Sequence, residues 1–333
     1  MYIQRVDINW QTRGDSVEYR RLGNSDLQVS VVGVGTWAMG NDFFGSVDDE
    51  ESIRAIRDSV DQGINLVDTA PPYGAGHSEE VVGRAISGIR DRVVLATKVG
   101  VYRKGTQFVR DLEPASIRRQ MEDSLRRLNV DVIDLYQIHW PDTSTPLEKS
   151  LEALAQLQKE GKFRHLGVSN FSIEQMDIVK KHMNLVSLQP HYSLLERTVD
   201  AETLPYCRSN GLGVLGYGTL AAGVLTGKFR EIPKLPEGDT RDQFYHYFQE
   251  PVWSRAQRLV DVLRAIGTER SVPVARVAIA WAIQQPGITC ALVGAKNTRQ
   301  ALANAEAGDW RLTGDELKRI EEAYAVFAVK EQV

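Results

Sequence analysis

The chain of 333 residues carries 40 Lys+Arg against 44 Asp+Glu and is 42% hydrophobic, the balance of an ordinary globular protein. A net charge of −4 speaks against a broad nucleic-acid surface, which needs clustered Lys and Arg. Two cysteines, Cys207 and Cys290, are too few for a disulfide framework or a Cys-based zinc site, and the six histidines lack metal-ligand spacing.

Residues 1–16 show no clear pattern and are set apart as an N-terminal extension; 17–333 reads as one domain. No apolar h-region follows Met1, so no signal peptide is read. Residues 19–30, with Gly23-Asn24 as a turn, predict a hairpin that plugs the bottom of a barrel. A strand over 31–36 precedes a helix over 49–62, where Ile53, Ile56 and Val60 sit at helical spacing and Gly63 is the stop. A strand over 64–69 is followed by a helix over 78–86, with Ser78 as its cap. Strands over 93–99, 132–139, 163–168, 186–189, 213–217 and 288–293 alternate with helices over 114–128, 147–160, 173–183 and 201–209. Further helices are expected over 252–264, 274–284, 298–307 and 313–325. The segment 229–250 reads as a long Pro/Gly/charge-rich loop. The longest uncharged stretch, 211–227, is Gly-rich and too short to span a bilayer as a helix. A soluble cytoplasmic protein is therefore expected, without membrane partners and with no feature that predicts an oligomer.

About eight strand–helix units in sequence, with near-continuous apolar strands, predict an α/β fold with a parallel sheet. Without a long polar break they favour a closed (β/α)8 TIM barrel, with the hairpin in front and extra helices at the C-terminus. Gly211, Gly213 and Gly216 match a G-x-G-x-x-G pattern, but they run into a strand instead of linking a strand to a helix, so a dinucleotide fingerprint is rejected.

Active sites of such barrels form at the C-terminal ends of the strands. Those ends carry Gly35-Thr36-Trp37, Asp68 with Tyr73 beyond it, Lys98, His139, Ser169-Asn170, Gln189, Tyr217 and Gly294 with Lys296. An Asp, a Lys, a Tyr and a His therefore converge on one mouth. Tyr, with a pKa near ~10, is a poor proton donor at neutral pH unless an ammonium lowers it. Lys98 is placed to supply that charge, and Asp68 to hold Lys98. Tyr73 then protonates a substrate oxygen that His139 orients. A barrel glycosidase needs two carboxylates across the mouth, and only Asp68 stands at a strand end. Trp37 and Trp140 are expected as pocket walls, and Phe43 and Phe44 as a cover or as packing.

These residues resemble the aldo-keto reductase family. The resemblance rests on Asp68-Thr-Ala-Pro-Pro-Tyr73-Gly, Ser78-Glu79, Thr97-Lys98, Gln137-Ile138-His139-Trp140 and Gly167-Val168-Ser169-Asn170-Phe171. It continues through Gln189-Pro190, Tyr217-Gly218-Thr219-Leu220, Gly223–Lys228 and Gly294-Ala-Lys296 with Gln300 and Asn304, and covers roughly 17–310. Tyr217 and the His139-Trp-Pro-Asp turn are similar to the bacterial AKR11-like branch.

The resemblance implies NADPH bound in extended form and a small-molecule carbonyl as substrate, sugar-derived aldehydes among them. It implies Asp68, Tyr73, Lys98 and His139 as the catalytic set, with Trp37, Tyr73, His139 and Trp140 facing substrate. Gly35, Thr36, Trp37 and Asp68 would border the cofactor. Ser169, Asn170 and Gln189 would hold the nicotinamide carboxamide, and Tyr217 would stack on its ring. Gly218, Leu220, Gly223 and Lys228 would line the pyrophosphate, with Thr219, Leu225 and Gly227 also among the cofactor-binding residues. Gln300 and Asn304 would meet the adenine end, with Lys296 near the 2′-phosphate and Gly294 also among the cofactor-binding residues. A positive charge there favours NADP over NAD, though Lys lacks the bidentate fork of Arg. Some relatives of this kind serve as cofactor-binding regulatory subunits with little turnover, which is the alternative reading.

Overall fold

The structure, a computed structural model, describes residues 17–328; the extension set apart at 1–16 lies outside them. Its strands are β1 (Tyr19–Arg21), β2 (Gln28–Ser30), β3 (Val32–Gly35), β4 (Leu66–Asp68), β5 (Val94–Val99), β6 (Val101–Lys104), β7 (Gln107–Arg110), β8 (Ile133–Ile138), β9 (Phe163–Ser169), β10 (Leu185–Gln189), β11 (Gly213–Gly216) and β12 (Cys290–Gly294). Eight of these close a parallel barrel in the order β3-β4-β5-β8-β9-β10-β11-β12, with β12 pairing back to β3. This is the (β/α)8 architecture that the alternation predicts.

The apolar face of each helix lies on the outside of the barrel. Ile53, Ile56 and Val60 of the helix Asp49–Asp61 are buried there, as are Leu151, Leu154 and Leu157 of Leu147–Lys159. Ser172 and Gln175 form a capping box at Ile173–His182, satisfying two orphan amides at once. Ser78 does not cap its helix as expected. That helix, His77–Ile86, begins after a left-handed Gly76, and the buried Ser78 hydroxyl donates to Thr36. The C-terminal helix Gly314–Ala328 packs on Val252–Glu269, and no described helix is long and apolar enough to cross a membrane.

The barrel interior changes character along its axis. At the bottom, Leu22, Leu27 and Val29 of the β1–β2 hairpin pack with Leu66, Val94, Ala96, Leu135, Val186, Leu215, Cys290 and Leu292. The hairpin therefore seals the barrel. Above this apolar plug the register pairs Asp68 with Ala96 and Lys98 with Gln137, so the next interior layer is polar.

Gly23 makes the seal possible. Its φ is +56°, and a Cβ there would lie 2.2 Å from the Val186 carbonyl oxygen and 2.7 Å from that of Gly211. Gly23→Ala is expected to cost roughly 2–4 kcal/mol, from left-handed strain plus overpacking against rigid backbone. Denaturant unfolding measures this; a midpoint equal to wild type shows that the hairpin is not a rigid plug.

The elements not read from the sequence include a short helix, Arg241–Phe244, inside the segment expected as a loop, and a hairpin. After β5, strands β6 and β7 pair as an antiparallel hairpin standing on the C-terminal rim. Gly105, with φ +62°, makes its turn.

Candidate active site

The C-terminal mouth gathers the residues that four strand ends carry. Lys98 is fully buried, and its Nζ lies 2.6 Å from Asp68 Oδ1 and donates to the Thr69 carbonyl at 2.9 Å. The third partner of that ammonium is the Tyr73 hydroxyl, at 3.4 Å. Asp68 Oδ2 accepts from the side-chain amides of both Gln137 and Gln189, each at 2.9 Å. A buried charge is tolerated only when paired and hydrogen-bonded, and both members of this pair are.

Tyr73 reaches the centre because the chain turns sharply after it. Gly74 has φ +60°, and a Cβ there would lie 2.0 Å from the Gly40 carbonyl. The Tyr73 ring stacks on Trp37 with centroids 5.8 Å apart and stands edge-on to His139 at 6.0 Å. His139 Nδ1 has no partner among the described residues.

The electrostatics differ from the sequence expectation at one point. Burial pushes the Tyr73 phenol well above its ordinary pKa, and the Asp68 and Asp42 carboxylates add to this. Lys98 does not reverse the direction, because its charge is already matched by Asp68 at 2.6 Å. Burial draws the Lys98 ammonium down, and Asp68 opposes that. Burial, with the nearby Lys98 and Arg110 cations, holds His139 well below the usual imidazole range, so the ring is neutral at neutral pH. The arrangement is a protonated phenol and a neutral imidazole facing one space, with a neutralised ion pair behind the phenol. Chemically this suits giving a proton to an oxygen, with an ammonium in place to receive the resulting phenolate.

The match to the Aldo/keto reductase family model covers residues 31–325. The chain belongs to the aldo/keto reductase family. It is 41% identical over 307 residues to aldo-keto reductase YhdN of Bacillus subtilis, covering 91% of this chain and 92% of that one. The structure of the glycerol dehydrogenase AKR11B4 from Gluconobacter oxydans superposes with a TM-score of 0.86 at 38% identity, covering 96% and 99% of the two chains. An aldo/keto reductase from Klebsiella pneumoniae, solved in complex with NADP and acetate, gives 0.73 at 31% identity, covering 92% and 95%.

Among aldo/keto reductases the rest of the mouth is the place for a cofactor, and two groups of residues there differ in what they can reach. Tyr217 donates to Asn170 Oδ1 at 3.0 Å and stacks on His191, with centroids 5.1 Å apart and planes 9° from parallel, so its ring is fixed on one side. Asn170, left-handed at φ 60°, also donates to the His139 carbonyl at 3.1 Å. Gly218, Gly223 and Gly227 all have positive φ, and the Gly223 and Gly227 amides donate to the Leu220 and Val224 carbonyls, so these glycines shape the tight turns beside the mouth. Lys228, Arg241 and Lys296 crowd around the single carboxylate of Asp239: burial and the neighbouring cations draw both lysines below their usual pKa. A cluster with excess positive charge fits phosphate groups.

Other expected cofactor residues face inward. Thr36 and Leu225 are fully buried, Thr219 donates to the Leu292 carbonyl at 3.1 Å, and Asn304 donates to the Gly294 carbonyl at 3.2 Å. Ser169 donates to the Gln189 carbonyl at 2.8 Å, and Gln189 to Asp68. The Gln300 side chain accepts from the Lys296 amide at 2.8 Å, while Gly35 and Leu220 are partly exposed at the mouth. Trp140 lies beside His139 under the Arg110 guanidinium, 4.7 Å from its ring.

Several groups at the mouth escaped the sequence reading. Gln137 holds Asp68, although it stood inside a quoted motif. Asp42 accepts from the Gly74 amide at 3.0 Å and pairs with Arg103 at 3.2 Å. Asp239 and Arg241 form a buried pair at 2.7 Å, and the Thr240 amide donates to the Phe43 carbonyl at 3.0 Å. The long loop after β11 is thereby tied to the loop after β3. Phe43 and Phe44 both contact Trp37, and Phe43 meets Phe108 and Phe244, so aromatic rings from three rim loops form one cover.

Proposed function

We propose that this chain is a cytoplasmic NADPH-dependent reductase that converts aldehydes or ketones, sugar-derived ones included, to alcohols, with Tyr73 as proton donor. The observation that carries the reading is the chain of contacts from Asp68 through Lys98 to the Tyr73 hydroxyl, at 2.6 and 3.4 Å. Bound NADPH supplies the hydride. Tyr217 and Asn170 position the nicotinamide end, and Lys228, Arg241 and Lys296 hold the phosphates. The neutral His139 donates to the carbonyl oxygen and orients it. Tyr73 gives that oxygen its proton, and the developing phenolate is stabilised by the Lys98 ammonium, which Asp68, Gln137 and Gln189 hold in place. The aromatic cover limits water in the pocket, which strengthens each of these interactions.

NADPH consumption by the pure protein, across aldehydes, ketones and open-chain sugars with NADH in parallel, tests the reading. Turnover with a Tyr73-dependent rate supports it. Binding of NADPH with no turnover on any compound favours a regulatory cofactor-binding role, and no binding overturns the cofactor assignment.

Lys296 carries the preference for the phosphorylated cofactor. Its ammonium donates to the Phe44 carbonyl, on the side facing Arg241. Lys296→Ala is expected to weaken NADPH by about tenfold and NADH much less, since a charged hydrogen bond is worth ~1.5–3 kcal/mol. Fluorescence titration with both cofactors measures this, and equal weakening removes Lys296 from the 2′-phosphate.

A further inference from the structure

The β6–β7 hairpin stands on the end of β5, and β5 lies between β4 and β8 in the barrel. One side of the hairpin therefore faces the Tyr73 loop and the other faces His139. Its register places Val101 opposite Arg110 and Arg103 opposite Phe108, so these four side chains share one face. Val101 is buried, which turns that face toward the barrel mouth.

The face presents two guanidinium groups with different partners. Arg103 is matched: it pairs with Asp42 at 3.2 Å and lies 5.4 Å from the Phe43 ring and 5.0 Å from Phe108. Arg110 has no carboxylate partner among the described residues; it rests on Trp140, 4.7 Å from the ring centre. Asp68 is matched by Lys98, and Asp42 by Arg103. Arg110 is thus a positive charge at the substrate end of the mouth with no carboxylate partner among the described residues, held in place by an aromatic face next to His139. Arg stacked in this way keeps its fork of donors free for an oxyanion.

We infer that Arg110 selects carbonyl substrates bearing a carboxylate or phosphate, binding that anion while the carbonyl lies at Tyr73 and His139. The inference rests on the reductase reading above. It also explains a placement that packing does not require, since Arg110 is exposed and buries little. The anion screens a cation that otherwise lies near His139, and because Arg110 is exposed that contact is sensitive to salt.

The test uses matched substrates that differ in charge: succinic semialdehyde against butanal, and glyceraldehyde 3-phosphate against glyceraldehyde, each with NADPH. kcat/KM is measured for the wild type, Arg110→Gln and Arg110→Lys. The charged member of at least one pair is expected to be favoured by about tenfold or more, chiefly through KM, and the preference to fall as salt is raised. Which pair shows it tells carboxylate from phosphate. Arg110→Gln is expected to bring the preference close to one, and Arg110→Lys to restore part of it. Equal kcat/KM within both pairs overturns the inference while the reductase reading stands, as does a preference that survives Arg110→Gln. If neither pair nor any other carbonyl is reduced, the reductase reading has failed and the inference falls with it.

Discussion

Tyr73→Phe is expected to lower carbonyl reduction by about 10²–10⁴-fold, the usual contribution of a positioned general acid. The change removes one oxygen, and the hydrogen bond to that oxygen is the 3.4 Å contact from Lys98. The ring keeps its place on Trp37, so thermal stability and the dissociation constant for NADPH are expected to stay near wild type. Stopped-flow reduction and cofactor titration on one preparation separate these effects. Turnover within tenfold of wild type removes Tyr73 from the proton-donor role. The wild-type pH profile adds a second check. Reduction needs the protonated phenol, and burial with the neighbouring carboxylates keeps Tyr73 protonated beyond its ordinary range. Reduction is then flat through neutral pH, whereas alcohol oxidation, which needs the deprotonated form, rises as pH rises. A reduction rate that falls steeply between pH 6 and 8 contradicts this assignment.

Lys98→Met is expected to be the most damaging single change for both stability and rate. It leaves the Asp68 carboxylate buried with only the amides of Gln137 and Gln189, and breaking such a pair costs about 3–5 kcal/mol. It also removes the cation that faces the Tyr73 oxygen. The double variant Asp68→Asn with Lys98→Met separates the two consequences. Replacing both partners is close to neutral for folding, so most of the stability is expected to return while turnover stays low. Recovery of turnover together with stability shows that Lys98 acts only by holding the barrel together. Chemical unfolding and steady-state kinetics on the three proteins make the comparison.

The elements of the barrel were legible because they are written in neighbouring residues. Helix 114–128 and helix 274–284 match their expected bounds, and every one of the eight barrel strands lies within two residues of its expected start. Apolar spacing and Pro and Gly boundaries act within a few residues, so a single chain displays them. The β6–β7 hairpin was missed because each four-residue strand places two apolar residues side by side, Val101-Tyr102 and Phe108-Val109, beside polar or charged residues, and so lacks the alternating apolar signal of a half-buried sheet. Ser78 shows the reverse case. It stands where a cap is expected, yet its hydroxyl serves Thr36, which lies 42 residues away in sequence.

The sequence by itself determined the (β/α)8 order and the presence of Asp68 and Lys98 at strand ends, with Tyr73 and His139 just beyond them. Tertiary structure decided what those groups do to one another. Asp68 is held by Gln189 from 121 residues away, and Lys296 meets Phe44 across 252. The upward direction of the Tyr73 pKa, the pairing of Arg103 with Asp42 and the stacking of Arg110 on Trp140 all arose from closure of the barrel. Periodicity is a local property of the chain, whereas desolvation and the matching of charges depend on which distant segments meet, and only the folded mouth fixes that.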